Sequence, residues 1–453
     1  MDKVNKNSEN SQQALFNLPP VQKKNIEISF TGADISSDGG LLLLKECEQQ
    51  VGIIKSISSC LKDERNSSYV QHSYVQMVTQ RIFQIAAGYE DADDCDRLRN
   101  DDIIKLCVGK LPNDQDLASQ PTMSRFENAH NRGDLYRIGV AFLDNFISSY
   151  TEEPPVIILD ADDTNSNAYG AQQLSLYNDY YGEACFMPLH IYEGLSGKLV
   201  TTILKPGRRS KNVNVFAILS RIISRIRNKW KNTIVIIRGD GHFCNHQLMD
   251  WCKNKENISF ITGLTGNAKL HKLAQTTIES AVKQYEQTQK PVKMYHSFEY
   301  QAKDWNNAQR VVVKVEVNSK GKNIIYIVSD LREWKTKQLY EDGYCARGAM
   351  ELRIKDHKRY LQSDTMSCME FGANQFRLFL HSAAYVLFHA LQKNILWNTA
   401  YAKSTFKTIR EKIIKVAAYV KEMKTKIKIE LPASCPQINI FSRCFRLFEV
   451  LNI

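Results

Sequence analysis

The sequence of 453 residues contains no C-x-x-C pair, although it has 11 cysteines. Without cysteines at that spacing, neither a zinc site nor a disulfide framework is indicated, and reduced thiols in a cytosol are the expected state. Residues 1–24 are polar and lack the apolar segment of a signal peptide. The sequence therefore predicts a cytoplasmic protein.

Long hydrophobic runs are also missing. The most apolar stretch, residues 378–391 (LFLHSAAYVLFHAL), includes two histidines and is shorter than the ~20 residues that span a membrane. This stretch is predicted to be a buried helix, and no membrane partner is expected.

Acidic residues are outnumbered by basic ones, 49 to 60, which gives a net charge of +11. The excess is spread through sequence with an ordinary hydrophobic content of 43% and is not collected in one amphipathic helix. A basic, folded protein of this kind favours a polyanionic partner, and nucleic acid before membrane.

Short apolar runs bounded by turn signals predict an α/β region in the middle of the chain. Strands are predicted at 156–160, 184–194, 198–207, 233–240 and 258–266, and helices at 215–230 and 245–255. The first three strands follow one another directly, which indicates a mixed sheet with hairpin-joined strands at one edge. A further β-rich stretch at 293–331 precedes the next helix as an insertion.

Acidic residues stand at the ends of two of these strands. Asp160 and Asp162 end the first strand, and Asp240 ends the fourth. The carboxyl ends of strands form the site in open α/β sheets, and carboxylates there suit a hard cation such as Mg²⁺. Because residues i and i+2 of a strand face the same way, either Asp160 or Asp162 could be the first acid.

Residues 344–358 (YCARGAMELRIKDHK) form a second charged element. In a helix, Tyr344, Arg347, Glu351 and Lys358 lie along one face, with one carboxylate among cationic side chains. Charge patterning alone favours a solvent-exposed face with salt bridges. Acids at two strand ends favour instead a site where a metal ion meets a phosphate.

These motifs resemble the DDE transposases of bacterial insertion sequences. The similarity is to the IS-four-like superfamily with the Y-(2)-R-(3)-E-(6)-K signature and, within it, to the thirteen-eighty-type family. Tyr344, Arg347, Glu351 and Lys358 match that signature at every spacing. The resemblance covers most of the chain beyond residue 25, and its other blocks lie at 88–94, 119–128, 159–164, 169–194, 205–210, 237–243 and 372–385.

The resemblance implies a set of catalytic and metal-binding residues. By residue-to-residue match, the three carboxylates are Asp162, Asp240 and Glu351, with Asp160 as the alternative to Asp162. They would bind two Mg²⁺ ions, for which Mn²⁺ would substitute.

The resemblance also implies DNA contacts. Arg347 and Lys358 would hold phosphates at the transposon end, and Tyr344 would support the same contact. In relatives, a Trp in the β insertion stacks on a base flipped from the duplex end. Trp305 is the candidate for that role, and a core or surface Trp is the alternative.

The expected fold is α/β, with an RNase H-like mixed-sheet catalytic core, an inserted β subdomain and flanking helical regions. The expected segments are a disordered tail (1–25), a mainly helical DNA-binding region (26–150), the first part of the core (151–267), the β-rich insertion (268–335), the second part of the core with the Glu helix (336–400) and a basic C-terminal region (401–453).

The implied function is metal-dependent cleavage at the inverted-repeat ends of an insertion sequence, followed by transfer of the 3′-hydroxyl into target DNA. The expected partners are double-stranded DNA, as terminal repeats and target, and further copies in a homodimer or larger assembly. Two alternatives stay open. One is a catalytically silent DNA-binding transposase relic, and the other is a structure-selective RNase H-like nuclease.

Overall fold

The computed structural model describes residues 16–208 and 215–451. Its first part contains a hairpin, a short strand and seven helices. These are β1 (Phe16–Val21), β2 (Lys24–Ile28), β3 (Ile35–Ser36), α1 (Leu41–Val51), α2 (Ile53–Ser59), α3 (Tyr74–Ala87), α4 (Asp94–Leu98), α5 (Asp102–Val108), α6 (Gln120–Glu127) and α7 (Arg132–Ser148), with a 3₁₀ turn at Ser67–Tyr69.

The β1–β2 hairpin begins inside the segment predicted to be disordered, so that prediction is wrong for residues 16–25. Leu18 pairs with Ile26 across the hairpin. Its turn residues, Gln22 and Lys23, both have positive φ, at 48° and 69°. Two-residue hairpins need this backbone conformation, which usually selects Asn or Gly and is therefore not signalled here. Residues 1–15 of the predicted tail lie outside the described residues.

Strands dominate the middle of the chain. They are β4 (Val156–Asp163), β5 (Ser166–Asn167), β6 (Leu176–Asn178), β7 (Glu183–Phe186), β8 (Leu189–Glu193), β9 (Leu199–Ile203), β10 (Ile234–Gly239), β11 (Ile258–Leu264), β12 (Val292–Tyr300), β13 (Gln309–Asn318) and β14 (Gly321–Ser329), with α8 (Val215–Lys229), α9 (His246–Lys253) and α10 (Ala268–Thr288) between them. The predicted strand at 184–194 is divided into β7 and β8 around Pro188, which has no N–H for a sheet.

Eight strands form one mixed sheet in the order β12-β13-β14-β11-β10-β4-β8-β9. β4, β10 and β11 run parallel, whereas β8 is antiparallel to both β4 and β9. This order and these directions are those of an RNase H-like core, which confirms the predicted fold class. The two strands that end in the predicted acids, β4 and β10, lie side by side.

The β insertion extends the core sheet. β14 pairs antiparallel with β11, where Ser329 lies opposite Ile261. β13 and β12 then continue the sheet outward by antiparallel pairing. The inserted strands therefore share the hydrophobic core of the central strands, with Val313 and Phe260 in the same cluster.

The last part of the chain is mainly helical. Its elements are α11 (Thr336–Gln338), α12 (Gly348–Lys355), α13 (Phe371–Ala390), α14 (Phe406–Ile409), β15 (Ala418–Glu422), β16 (Ile427–Glu430) and α15 (Ile438–Leu451). From α11 onward the chain stays helical to residue 360 through wide π-type turns at Leu339–Tyr344 and Asp356–Tyr360 and a 3₁₀ turn at Cys345–Arg347. Residues 336–360 are called the site helix below.

Helix α13 is buried along nearly its whole length, as predicted for residues 378–391. It lies between the N-terminal helices and the sheet, where the Ser382 hydroxyl is 2.7 Å from that of Thr202. The Tyr385 hydroxyl donates to the Gly197 carbonyl at 2.9 Å. Within the part of the chain that the structure describes, no helix is both long and apolar enough to cross a membrane.

The two ends of the chain share one hydrophobic core. Ser36 pairs with Ala418 between β3 and β15, and the N–H of Gly40 donates to the Ile414 carbonyl at 3.1 Å. Phe448 of α15 joins the same cluster as the N-terminal helices. The basic residues after 401 therefore belong to a region that packs against the N-terminal helices.

Gly40 makes this junction possible, since a Cβ there would overlap the carbonyl oxygen of Ile413. We expect Gly40→Ala to lower the free energy of unfolding by about 1–3 kcal/mol, because the backbones must move apart. Urea unfolding followed by circular dichroism measures this change. The control is Gly348→Ala, because a Cβ at Gly348 meets nothing within 4 Å. An equal loss in both variants would contradict the argument.

Candidate active site

The ends of β4 and β10 bring two carboxylates together. Asp160 pairs in register with Arg238 across these parallel strands. Asp162 and Asp240 each lie two residues further along, so they are level at the sheet edge, where adjacent strands are about 4.8 Å apart. The negative charge of Asp240 contributes to a raised pKa at Asp162, as expected for neighbouring carboxylates.

Asp162 is held in a largely buried position beside a cation. Its Oδ2 atom lies 2.9 Å from Nη2 of Arg347, and both side chains are 15% exposed. Burial raises the pKa of Asp162 to about 6, and Asp240 and Asp163 add to that rise, whereas Arg347 opposes it. Nε of Arg347 is buried and has no hydrogen-bond acceptor. The guanidinium therefore has unused donor capacity at the site.

Asp240 is more open than Asp162, with 32% of its side chain exposed. Its Oδ1 atom accepts the backbone N–H of His242 at 2.8 Å and so caps the short helical turn Gly241–Phe243. Its Oδ2 atom lies 3.4 Å from Nδ1 of His242. The cap orients the carboxylate and leaves one oxygen beside the strand end.

Asp160 has a structural partner instead. It is 1% exposed and pairs with Arg238, whose Nη2 lies 2.7 Å from Oδ2 of Asp160. Nη1 of Arg238 donates to the Gly343 carbonyl at 2.6 Å, which ties the site helix to the sheet. Both oxygens of Asp160 face Arg238, whereas Oδ2 of Asp162 faces Arg347.

The site helix places Tyr344 and Arg347 at the acids. Burial raises the pKa of Tyr344, and Asp240 and Asp162 both contribute to that rise. Its hydroxyl lies against β11, where a Cβ on Gly263 would be 2.9 Å away. Tyr344 thus supports the helix from the side of β11.

Lys358 is further along the site helix and binds the loop after β4. Its Nζ lies 3.2 Å from Oγ1 of Thr164 and 3.0 Å from Oδ1 of Asn165, and it also donates to the Asn165 carbonyl. Burial lowers the pKa of Lys358. The lysine therefore fixes the chain just beyond the carboxylates.

Trp305 is in the hydrophobic core and not on a DNA-facing surface. It is 7% exposed and packs edge-on against Tyr300, with ring centroids 5.5 Å apart. Its burial in this cluster gives no support to the predicted stacking on a flipped base, which stays a prediction.

The structure adds two cations that the sequence did not single out as site residues. Lys205 pairs with Asp163 at 2.6 Å, and both side chains are about 10% exposed. Arg238 pairs with Asp160 in the interior. The sequence could have indicated Arg238, since a charged residue inside a buried strand requires a partner. Lys205 belongs to the 205–210 block, whose last two residues lie outside the described part of the chain.

A sequence profile described as Transposase DDE domain group 1 matches residues 18–452, nearly the whole chain. The chain belongs to this DDE transposase family. Among solved structures, it is similar to the piggyBac transposase in a synaptic complex with hairpin DNA. That similarity has a TM-score of 0.43 and 10% sequence identity, over 84% of this chain and 80% of the other. Among curated proteins, no match is found.

DDE transposases act on DNA phosphodiester bonds with divalent metal ions. Asp162 and Asp240 are oxygen donors of the kind that Mg²⁺ prefers. Burial is the main cause of the raised pKa of Asp162, and the charge of Asp240 adds to it, so a cation between the two carboxylates would favour their charged forms. The pair therefore fits one side of a metal site of this family.

The third acid of the transposase signature is not with this pair. Glu351 is exposed on α12, one turn beyond Arg347. In residues 16–208 and 215–451, no three His, Cys, Asp or Glu side chains are grouped closely enough to hold a metal ion. The predicted triad of Asp162, Asp240 and Glu351 is thus assembled only as far as its two aspartates.

Proposed function

We propose that this DDE transposase cuts the inverted-repeat ends of an insertion sequence and transfers the freed 3′-hydroxyl into target DNA. We also assign it to the IS-four-like branch with the Y-R-E-K signature, in the thirteen-eighty-type family. The observation that carries the proposal is the level pair of Asp162 and Asp240 at adjacent strand ends, with Arg347 beside it.

The carboxylates of Asp162 and Asp240 would hold the divalent ions, which are Mg²⁺ in the cell, with Mn²⁺ as a substitute. Bound metal would activate the attacking oxygen and stabilise the leaving oxygen of the phosphodiester. Glu351 is the third carboxylate of the proposal, because it stands at the acidic position of the Y-R-E-K signature and lies on the site helix that carries Arg347.

Arg347 would bind the scissile region through its guanidinium. A DNA phosphate brings an acceptor for the unpaired Nε and competes with Asp162 for Nη2. Bidentate binding of a phosphate suits the planar guanidinium. When Arg347 turns from Asp162 to phosphate, the Asp162 carboxylate is released for catalysis. Tyr344 contacts β11 and so supports the site helix, and Lys358 binds the loop after β4. Both elements therefore stay in place while Arg347 changes its partner.

We expect Arg347→Ala to lower affinity for an inverted-repeat duplex about tenfold. Loss of one phosphate contact should also reduce the slope of log affinity against log salt by about 1. Fluorescence anisotropy between 50 and 300 mM NaCl measures both effects, without divalent ions so that no cleavage occurs. Arg332→Ala is the control, since Arg332 is an exposed arginine paired with Glu299. An unchanged salt slope for Arg347→Ala would contradict the phosphate contact.

One reconstituted reaction separates the proposed function from its alternatives. The purified chain, Mg²⁺, a linear DNA with the inverted repeats that flank its gene, a branched DNA and a supercoiled target plasmid are incubated together. We expect cut ends and joined products, formed by copies that pair two DNA ends. Cleavage of branched DNA without joined products would establish the nuclease, and binding without cleavage would establish the relic.

A further inference from the structure

Between β4 and β8 the chain forms a small sheet of its own, with the strand order β5–β7–β6. We call residues 166–186 the tyrosine flap. Tyr169, Tyr177 and Tyr180 are 66%, 60% and 84% exposed, and Tyr181 is 37% exposed. Large aromatic rings grouped on the surface add little to the stability of the fold, and such a group marks an interaction surface.

The flap lies beside the catalytic carboxylates. It starts three residues after Asp163, and Lys358 holds its base through Asn165. Burial raises the pKa of Tyr181, and the negative charges of Asp162 and Asp163 add to that rise. Along the chain the flap follows β4 and precedes β8, whereas in the sheet order the inserted strands lie beyond β11, on the other side of β10.

Hydrogen bonds fix the backbone that presents the tyrosines. Oδ1 of Asn178 accepts the N–H of Tyr180 at 3.0 Å, and its Nδ2 donates to the Gly207 carbonyl at 2.7 Å. The N–H of Gly182 closes the turn on the Asn178 carbonyl at 2.8 Å. At the other end of the flap, Nε2 of Gln172 donates to the Met366 carbonyl at 2.7 Å. A preformed loop loses little conformational entropy when its aromatic rings bind a ligand.

We propose that Tyr180 and Tyr181 hold an unpaired base of the DNA end, next to the phosphodiester that is cut. The two rings are perpendicular, with centroids 4.9 Å apart and an angle of 89° between their planes. Tyr181 is the less exposed of the two, and the exposed ring of Tyr180 offers a face on which a base can stack. This inference depends on the proposed function, because it needs a DNA end at Asp162.

A nucleic-acid base fits this surface better than a protein partner does. Cationic Lys358 lies at the base of the flap, and the exposed Arg208 follows the segment that binds Asn178. Cations beside exposed aromatic rings are the combination that binds single-stranded DNA, since the former contact phosphates and the latter stack on bases. Trp305, the ring first expected to do so, is buried.

The test is a double-mutant cycle between protein and DNA. Inverted-repeat duplexes are made with an abasic site at each of the four nucleotides nearest the cleavage position, and binding is measured without divalent ions. For the wild type, one abasic position should lower affinity about tenfold, the size expected for one lost stacking contact. Tyr180→Ala should lower affinity for the intact duplex by the same factor and show no further loss with that abasic site.

Two further variants control for folding and for general surface effects. Tyr180→Phe keeps the ring and should bind as the wild type does. Tyr136→Ala removes another exposed tyrosine, on α7, and should retain the full abasic effect.

The second ring of the pair is tested in the same way. Tyr181→Ala should weaken binding at the same nucleotide as Tyr180→Ala.

Three results would overturn the inference. One is an abasic effect that persists in both Tyr180→Ala and Tyr181→Ala. Another is a loss of affinity that comes with a change in oligomeric mass by light scattering, because the flap would then contact a protein copy. The third is a wild type that binds no inverted-repeat duplex, which contradicts the proposed function itself and the inference with it. The first two results leave the proposed function intact.

Discussion

Asp162→Asn is expected to abolish DNA cleavage while the protein stays folded and bound to DNA. The amide keeps the shape of the side chain and removes the charge that faces Asp240 at the strand ends. Loss of one group that stabilises transition-state charge lowers rates by about 10²–10³-fold. Single-turnover cleavage of an inverted-repeat duplex with Mg²⁺ measures the loss, and anisotropy confirms that binding remains.

The same variant should not lose stability. Burial raises the pKa of Asp162 from 3.8 to about 6, so the charged form is less favourable in the folded protein than in the unfolded chain. The rise remains after the favourable charge of Arg347 is included, so Asp162→Asn removes a charge that is unfavourable on balance, and its midpoint of thermal unfolding should lie above that of the wild type at pH 7 and higher. The difference should shrink as the pH falls through 6 toward 4, because the wild-type carboxyl then becomes protonated.

Two further substitutions make the prediction specific. Glu351→Gln should reduce cleavage as strongly as Asp162→Asn, if Glu351 is the third carboxylate. Full cleavage by Glu351→Gln would leave the aspartate pair as the whole acidic set. Cleavage that survives in Asp162→Asn and fails in a folded Asp160→Asn variant would show that the first acid is Asp160.

The sequence predicted the core sheet because its signals are local. Apolar runs ending in Asp160 and Asp240 define two strand ends, and the RNase H-like order makes those strands neighbours. The direct succession of the first three strands likewise predicted hairpin pairing, which the structure shows between β4, β8 and β9. The sequence could not separate Asp160 from Asp162, because residues two apart on a strand face the same way. Only the strand register shows that Arg238 lies opposite Asp160.

Other features depend on tertiary contacts that leave little trace in sequence. Trp305 is in a loop, and only its packing against Tyr300 shows that the ring belongs to the core. The position of Glu351 could not be predicted from spacing either. The site helix contains wide turns and a 3₁₀ turn, so a face drawn with 3.6 residues per turn does not hold along its length.

Asp160→Asn is expected to lower the free energy of unfolding by about 3–5 kcal/mol, the largest stability effect we predict. Both partners of the Asp160–Arg238 pair are about 1% exposed. Removal of the carboxylate therefore leaves the guanidinium charge buried and uncompensated. Urea unfolding at pH 7.5 gives the change. Asp163→Asn breaks the pair with Lys205, whose side chains are about 10% exposed, and should cost less.

A double variant distinguishes two causes of lost stability: the unpaired charge of Arg238, and the loss of packing at the Asp160 side chain. Asp160→Leu with Arg238→Met removes both charges, and it should be more stable than either single variant, since an apolar pair carries no desolvation penalty. Arg238 also holds the Gly343 carbonyl, so the double variant should still loosen the site helix and reduce cleavage. If the two single losses simply add, the pair contributes by packing alone. If the double variant regains stability but not cleavage, the ion pair serves to hold the helix of Arg347 against the strand that carries Asp162.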